Sequence, residues 1–175
     1  MDNNNMKDAN RIKHYAAAVI AIAAGVLLDQ FTKYLAITRL KGQGPYVLIK
    51  DVFQFEYLEN RGAAFGMFQD QRIFFFISVA VICVVVIWFY LKVPMERRFL
   101  PLRICAVMIV AGALGNCIDR VRLNYVVDFF YFKLIDFPIF NVADIYVTVA
   151  TAVLVVFLFF YYKEEDFERI FHRRK

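Results

Sequence analysis

Ile73–Leu91 runs for 19 residues without a charged side chain, and Ile145–Tyr162 runs for 18. Between them, Ile104–Ile118 adds 15 more and extends towards Phe99 across Arg103, whose long side chain can snorkel to an interface. Earlier, the stretch Tyr15–Ile37 is apolar as far as Leu28 and then carries Asp29 and Lys33. A hydrocarbon layer about 30 Å thick takes about 20 apolar residues as a helix, because lipid satisfies no backbone polar group. The pattern predicts an all-α polytopic membrane protein, one integral domain over 1–175, with spans at about 15–37, 73–93, 99–118 and 145–162.

The first apolar stretch follows Lys7, Arg11 and Lys13 and contains Ala21 and Ala23, which also suits a cleaved export signal. It continues without a break into Asp29-Gln30-Phe31-Thr32-Lys33, and three further spans follow, so it reads as an uncleaved first helix. In the long connection after it, Phe53-Gln54-Phe55-Glu56-Tyr57 alternates apolar and polar, the period of a half-buried strand. Gly42, Gly44 and Pro45 punctuate its approach, and Asn60-Arg61-Gly62-Ala63-Ala64-Phe65-Gly66 closes it with small and polar residues.

Composition narrows the classes. Hydrophobic residues make up 61% of the 175, with 20 Phe and 10 Tyr against 7 Gly and 4 Pro, which excludes disordered and collagen-like chains. The three cysteines, Cys83, Cys105 and Cys117, lie in apolar runs without a C-x-x-C pair, so no disulfide framework or zinc knuckle is indicated. The net charge of +5 is unevenly placed. Segments 1–14, 92–103 and 163–175 hold twelve Lys and Arg in 39 residues, whereas 38–72 and 119–144 hold eight in 61. Under the positive-inside rule both termini are cytoplasmic and the two long connections lie outside. The charge is thus a topology signal, and no nucleic-acid partner is expected.

Elimination then limits the chemistry. The lone serine, Ser78, sits mid-span, and the two histidines, His14 and His172, lie in the cytoplasmic tails. No Ser-His-Asp set can form across a bilayer, and no outer histidine is on hand for zinc or for a cysteine nucleophile. Carboxylates remain. Charges at membrane depth cost about 2.5–3.5 kcal/mol even on insertion scales, so each needs a reason. Asp29 and Lys33 share a helix face and either pair internally or face a substrate. Asn116, Asp119 and Arg120 share one side of the third helix, either as an inter-helix network in which Arg120 neutralises a carboxylate or as part of the chemistry. The cation beside Asp119 favours a permanently ionised structural carboxylate there.

Asp128 and Asp144 flank one loop between antiparallel helices, so the two can meet, with Asn141 in reach of either. As the opening residue of the fourth helix, Asp144 can also serve simply as a cap. Two close carboxylates share one proton, and that state suits peptide hydrolysis: one takes a proton from water while the other polarises the carbonyl.

These blocks resemble the bacterial lipoprotein signal peptidases, the signal peptidase II family, over roughly 15–162. The likeness runs through Asp29-Gln30-x-Thr32-Lys33, Asn60 to Gly66, Gly115-Asn116-x-x-Asp119-Arg120, Val126-Val127-Asp128-Phe129 and Phe140-Asn141-x-Ala143-Asp144. It implies an aspartic endopeptidase of the bacterial inner or plasma membrane that cuts prolipoproteins just before a diacylglyceryl-modified cysteine. The family's catalytic pair falls on Asp128 and Asp144. Its supporting residues fall on Asp29, Lys33, Asn60, Arg61, Asn116, Asp119, Arg120 and Asn141. The resemblance also implies a small extracytoplasmic β-rich cradle with a short amphipathic helix, a monomer, membrane lipid as surroundings, and no metal or other cofactor. Segment 40–66 is expected to close over the site and limit water. The charged tail from Lys163 lies outside the likeness and reads as a solvated helix end near anionic lipid.

The rival reading is a four-helix proton-coupled transporter, with Asp29, Lys33 and the other carboxylates as its path. A carrier site lies near the midplane in broken helices, whereas neither Ile73–Leu91 nor Ile145–Tyr162 has Gly, Pro or a charge at its centre. A non-enzymatic scaffold would not need several Asn and Asp at one depth.

Overall fold

The computed structural model describes residues 3–62 and 72–171. Among them, four helices are long and apolar enough to cross a membrane, over Arg11–Leu40, Ile73–Lys92, Arg97–Leu123 and Val142–Phe160. The helices themselves are α1 (Asn3–Leu40), α2 (Arg72–Lys92), α3 (Leu100–Arg122) and α4 (Val142–Phe160). All four expected spans are present. The first and third run further than hydropathy indicated: α1 continues through polar residues on both sides of 15–37, and α3 continues past Ile118 through Asp119 and Arg120. A short 3-10 turn, Arg97–Phe99, leads into α3, and Pro101 sits in its first turn, where a missing N–H costs nothing.

The third helix is the hub: α1, α2 and α4 all pack on it. Small residues set how closely they approach. A Cβ on Gly112 would lie 2.5 Å from the Ala143 carbonyl oxygen of α4, and one on Gly115 would lie 2.5 Å from Asp29 Oδ2 of α1. Close backbone approach at small residues is how membrane helices gain contact where lipid offers no hydrophobic drive. The opposite faces are apolar and open, with Val19, Ile20, Leu27, Ile73, Val84 and Phe159 all exposed.

The connections build a three-stranded antiparallel sheet in the order β1 (Tyr46–Ile49), β2 (Phe53–Asn60), β3 (Val126–Tyr131). The alternation at 53–57 marks the core of β2, which continues to Asn60. The third strand was not anticipated. Val126–Phe129 is buried on both faces, so it lacks the alternation that identifies a strand. Register pairs Leu58 with Asp128 and Asn60 with Val126, and a bridge between Phe130 and Phe140 closes the loop that leads to α4. Phe53, Phe55, Phe129, Phe130 and Phe140 pack against one another across this sheet. The chain is therefore mostly helical with a small sheet, and not purely α. The short amphipathic helix that the resemblance implies is linked to the polar and small segment from Asn60 to Gly66, which from 63 on lies outside the described residues.

The tail departs from the solvated reading. Helix α5 (Glu164–Phe171) folds back with Asp166 and Ile170 buried. Arg98 Nε and Nη2 each donate to the Asp166 carboxylate at 2.6 Å, which holds that carboxyl down at about 2, and Arg169 pairs with Glu96. Beneath it, Phe99 stacks on Tyr162 with 5.9 Å between ring centroids. The helix is too amphipathic and too well paired with the 94–99 connection to remain in solvent.

Candidate active site

Polar side chains from α1, α3, the sheet and the start of α4 meet at one end of the bundle. The fourth helix supplies its own N-terminus. Asn141 is the N-cap: its Oδ1 accepts from the Asp144 backbone N–H at 3.1 Å, and the Asn141 N–H donates to Asp144 Oδ2 at 3.0 Å. This reciprocal cap satisfies orphan donors at the helix start. Asp144 thus has a capping role, and its other carboxylate oxygen still accepts from Asn116 Nδ2 at 2.8 Å.

Asp128, on β3, is 1% exposed. Its Oδ1 accepts from Asn141 Nδ2 at 2.6 Å and its Oδ2 from Asn60 Nδ2 at 2.8 Å. Burial and then the neighbouring charge of Asp144 push its carboxyl up to about 7, against an ordinary 3.8. Asn141 therefore touches both carboxylates, as the loop geometry implied, and Asn60 reaches one of them from the end of β2.

Behind this pair lies a buried ionic cluster. Lys33, 2% exposed, places Nζ 2.9 Å from Asp29 Oδ2, 3.0 Å from Asp119 Oδ2 and 2.8 Å from Asn116 Oδ1. Asp29 Oδ1 accepts the Ala143 N–H at 3.0 Å, and Asp119 Oδ2 accepts the Val127 N–H at 3.1 Å. One lysine thereby ties α1 to α3, and its two carboxylates tie those helices to the residues preceding Asp144 and Asp128. Of the two readings of Asp29 and Lys33, the internal pair is the one observed.

The expected partner of Asp119 is different. Its cation is Lys33, not the adjacent Arg120. Among the described residues Arg120 makes no ion pair within 4.0 Å; it donates to the Gly62 carbonyl at 3.0 Å and to the Asn116 carbonyl at 3.3 Å. Its guanidinium lies over the Phe75 ring at 4.2 Å. Neighbours in a helix point apart, so adjacency in sequence did not decide the pairing. Arg61 is not drawn into the cluster: it is exposed, and its Nη2 lies 4.0 Å from Glu59. Ala63 to Gly66, the rest of the expected cover, lie outside the described residues. Sequence reasoning quoted Gln30 only within a motif, yet its Nε2 donates to Asp119 Oδ1 at 2.8 Å and the Gly115 carbonyl at 3.2 Å. Its position one residue after a membrane-depth aspartate was the available signal.

With Lys33 and Arg120 as cations and Asp29, Asp119, Asp128 and Asp144 as acids, the full set of ionised carboxylates would leave two uncompensated charges. A proton held by the Asp128–Asp144 pair halves that excess, in line with the raised carboxyl of Asp128.

Comparisons with known proteins place the chain in a family. A family model described as Signal peptidase (SPase) II matches residues 21–160. The chain is 43% identical over 153 residues to a lipoprotein signal peptidase of Clostridium tetani, covering 86% of this chain and 95% of that protein. It is 45% identical over 144 residues to one from Caldanaerobacter subterraneus, covering 82% and 96%. Among solved structures, a bacterial membrane enzyme obtained by the in meso method at 1.9 Å superposes with a TM-score of 0.71 at 30% identity, over 84% of this chain and 95% of that one. Two carboxylates held by one asparagine at the end of a four-helix membrane bundle thus coincide with a family match across most of the chain: the protein belongs to the signal peptidase II family.

Proposed function

We propose that the chain is an intramembrane aspartic endopeptidase that removes signal peptides from diacylglyceryl-modified prolipoproteins, cutting before the lipidated cysteine, with Asp128 and Asp144 as the catalytic pair. The observation that carries this reading is the hold of Asn141 on both carboxylates, through its side-chain amide on one and its backbone N–H on the other. Family membership supports the reaction class.

In this reading the pair works with one proton. Asp128, buried and pushed up to about 7, carries it and donates to the scissile carbonyl oxygen. Asp144, half-buried at the head of α4, accepts a proton from the attacking water. As the tetrahedral intermediate collapses, Asp144 gives that proton to the departing nitrogen and Asp128 takes its own proton back from the gem-diol hydroxyl, which restores the singly protonated pair. Asp29, Lys33, Asn116, Asp119 and Arg120 hold the helices and strand that carry the pair, Asn60 and Asn141 orient it, and exposed Arg61 meets the substrate.

The whole of 1–175 acts as one integral domain and as a monomer. The Lys and Arg bias supports both termini in the cytoplasm of a bacterial cell whose inner or plasma membrane it spans, with the sheet and the carboxylates on the outer side. Segment 40–66 closes over the bound peptide. The test is cleavage of a diacylated prolipoprotein in membranes. Asp128→Asn and Asp144→Asn should each insert normally and lose at least about a thousandfold in rate, in the range by which an acid–base partner and its activated water contribute. Wild-type turnover in either variant rejects the proposal.

A further inference from the structure

Arg103 stands at the opposite end of the bundle. It lies in the first turn of α3, sixteen residues before Asp119 and so about 24 Å from it along the axis. The residue is 4% exposed. Its Nη1 donates to the Pro94 carbonyl, yet among the described residues no carboxylate lies within ion-pair distance and Nε has no hydrogen-bond partner. A buried cation without a counter-charge costs several kcal/mol, so its position calls for an anion.

A groove of about 410 Å³ ends at this side chain. Its floor is Ala17, Ala21 and Gly25 of α1, and its walls are Val107 of α3 and Tyr146 of α4. From His14 to Gly25 it follows eleven residues of α1, about 16 Å. That is half of a hydrocarbon core of about 30 Å, the depth of one leaflet. The groove is therefore the length of an acyl chain, apolar along its course, with an arginine fork where a headgroup phosphate would sit.

We propose that this groove binds an anionic phospholipid of the leaflet opposite the carboxylates, one acyl chain along Ala17–Gly25 and the phosphate at the Arg103 guanidinium. Charge selects this occupant over a substrate signal segment. Lys13, Lys92, Arg97 and Arg98 surround the same level of the bundle; two of its acids, Glu96 and Asp166, are already paired with Arg169 and Arg98, and segments 1–14, 92–103 and 163–175 together keep an excess of five positive charges. A signal segment brings a positively charged region to that level and is repelled. A planar guanidinium, by contrast, matches phosphate with parallel N–H donors. A second groove, of about 220 Å³ between α1, α2 and α3, is lined by Val86 and Ile22 and has no cation, so it should show no headgroup preference.

The test is lipid retention by the full chain, released from membranes in detergent and weighed intact, with phosphatidylglycerol and phosphatidylcholine of identical acyl chains. Wild type should hold phosphatidylglycerol at least fivefold more tightly. Arg103→Gln should erase the preference and Arg103→Lys should keep part of it. Ala21→Phe, at an exposed position on the groove floor, should weaken retention about tenfold and keeps the test decisive if Arg103→Gln does not fold. A photoreactive side chain at position 21 in cells should capture phospholipid. Equal retention of the two lipids by wild type, unchanged retention in Ala21→Phe, or capture of a prolipoprotein signal segment at position 21 would each overturn the proposal.

Discussion

Asn141 Nδ2 donates to Asp128 Oδ1 at 2.6 Å while Asn141 Oδ1 accepts the backbone N–H of Asp144 at 3.1 Å. The residue that starts α4 therefore also fixes the orientation of the strand carboxylate. Capping alone would be served by Ser, Thr or Asp; the amide accepts from the helix through its oxygen and still has two N–H donors, one for Asp128 and one for Asn116 Oδ1. Asn141→Asp should keep the cap and lose those donors. Its expected signature is cleavage of a lipidated substrate reduced at least about a hundredfold, the scale of a misplaced catalytic group, with a thermal midpoint that falls as pH rises because a third buried carboxylate then faces Asp128. Asn141→Ala should lose both, with about 1 kcal/mol of helix stability gone as well. Full activity in Asn141→Asp would show that the contact with Asp128 is incidental.

The pH dependence follows from Asp128. Its folded carboxyl titrates at about 7, raised from 3.8 by burial and by Asp144. The protonated form is needed, so the rate should fall as pH rises through about 7, approaching tenfold per unit beyond it. The sign for stability is the same: between the ordinary and the raised value the native state binds more protons than the unfolded one, so stability declines from about pH 4 and the loss is complete above about 7. Rates measured from pH 5 to 9 check the first statement. A profile that stays flat to pH 9 contradicts it.

Lys33 offers a stability test separate from catalysis. It neutralises two buried carboxylates at 2.9 and 3.0 Å. Lys33→Met leaves Asp29 and Asp119 without a cation, a change that costs about 3–5 kcal/mol for buried pairs. In a chain of this size that corresponds to a fall of roughly 6–20 °C in thermal midpoint. Adding Asp119→Asn removes one of the stranded charges and should recover part of the loss, because contacting residues are not additive. If the double variant is as unstable as the sum of the single ones, the pair does not interact.

Much of this was legible in the chain because a membrane reads composition. Nineteen uncharged residues at Ile73–Leu91 admit one structure, and an aspartate such as Asp29 or Asp119 at membrane depth announces a partner. The convergence of Asp128 and Asp144 followed from antiparallel helices joined by one loop. What escaped depended on facing across elements. The Lys33–Asp119 contact requires knowing how α1 is rotated against α3. Strand β3 is buried on both sides, so Val126-Val127-Asp128-Phe129 shows no period of two. Asp166, one acid among four at the start of α5, gained its meaning only from Arg98, 68 positions away.

The glycines of α3 link helix packing to the carboxylates. Replacing Gly by Ala in a helix ordinarily gains up to about 1 kcal/mol. At Gly115 the new Cβ would meet Asp29 Oδ2 at 2.5 Å, and that carboxylate is held by Lys33 and by the Ala143 N–H, so it has little room to yield. At Gly112 the Cβ would meet the Ala143 carbonyl oxygen at 2.5 Å and Val147 Cγ2 at 2.8 Å, and the backbone oxygen can move only with α4. Overpacking of this kind costs about 1–3 kcal/mol, enough to outweigh the propensity gain at both positions. Gly112→Ala displaces the start of α4, which carries Asn141 and Asp144, so it should lower both thermal midpoint and cleavage rate. Gly115→Ala strains the ionic cluster behind the pair and should lower the midpoint with a smaller loss of rate. Paired unfolding and cleavage measurements separate the two. An increase in midpoint for Gly112→Ala would mean that α3 and α4 are not in backbone contact at Ala143.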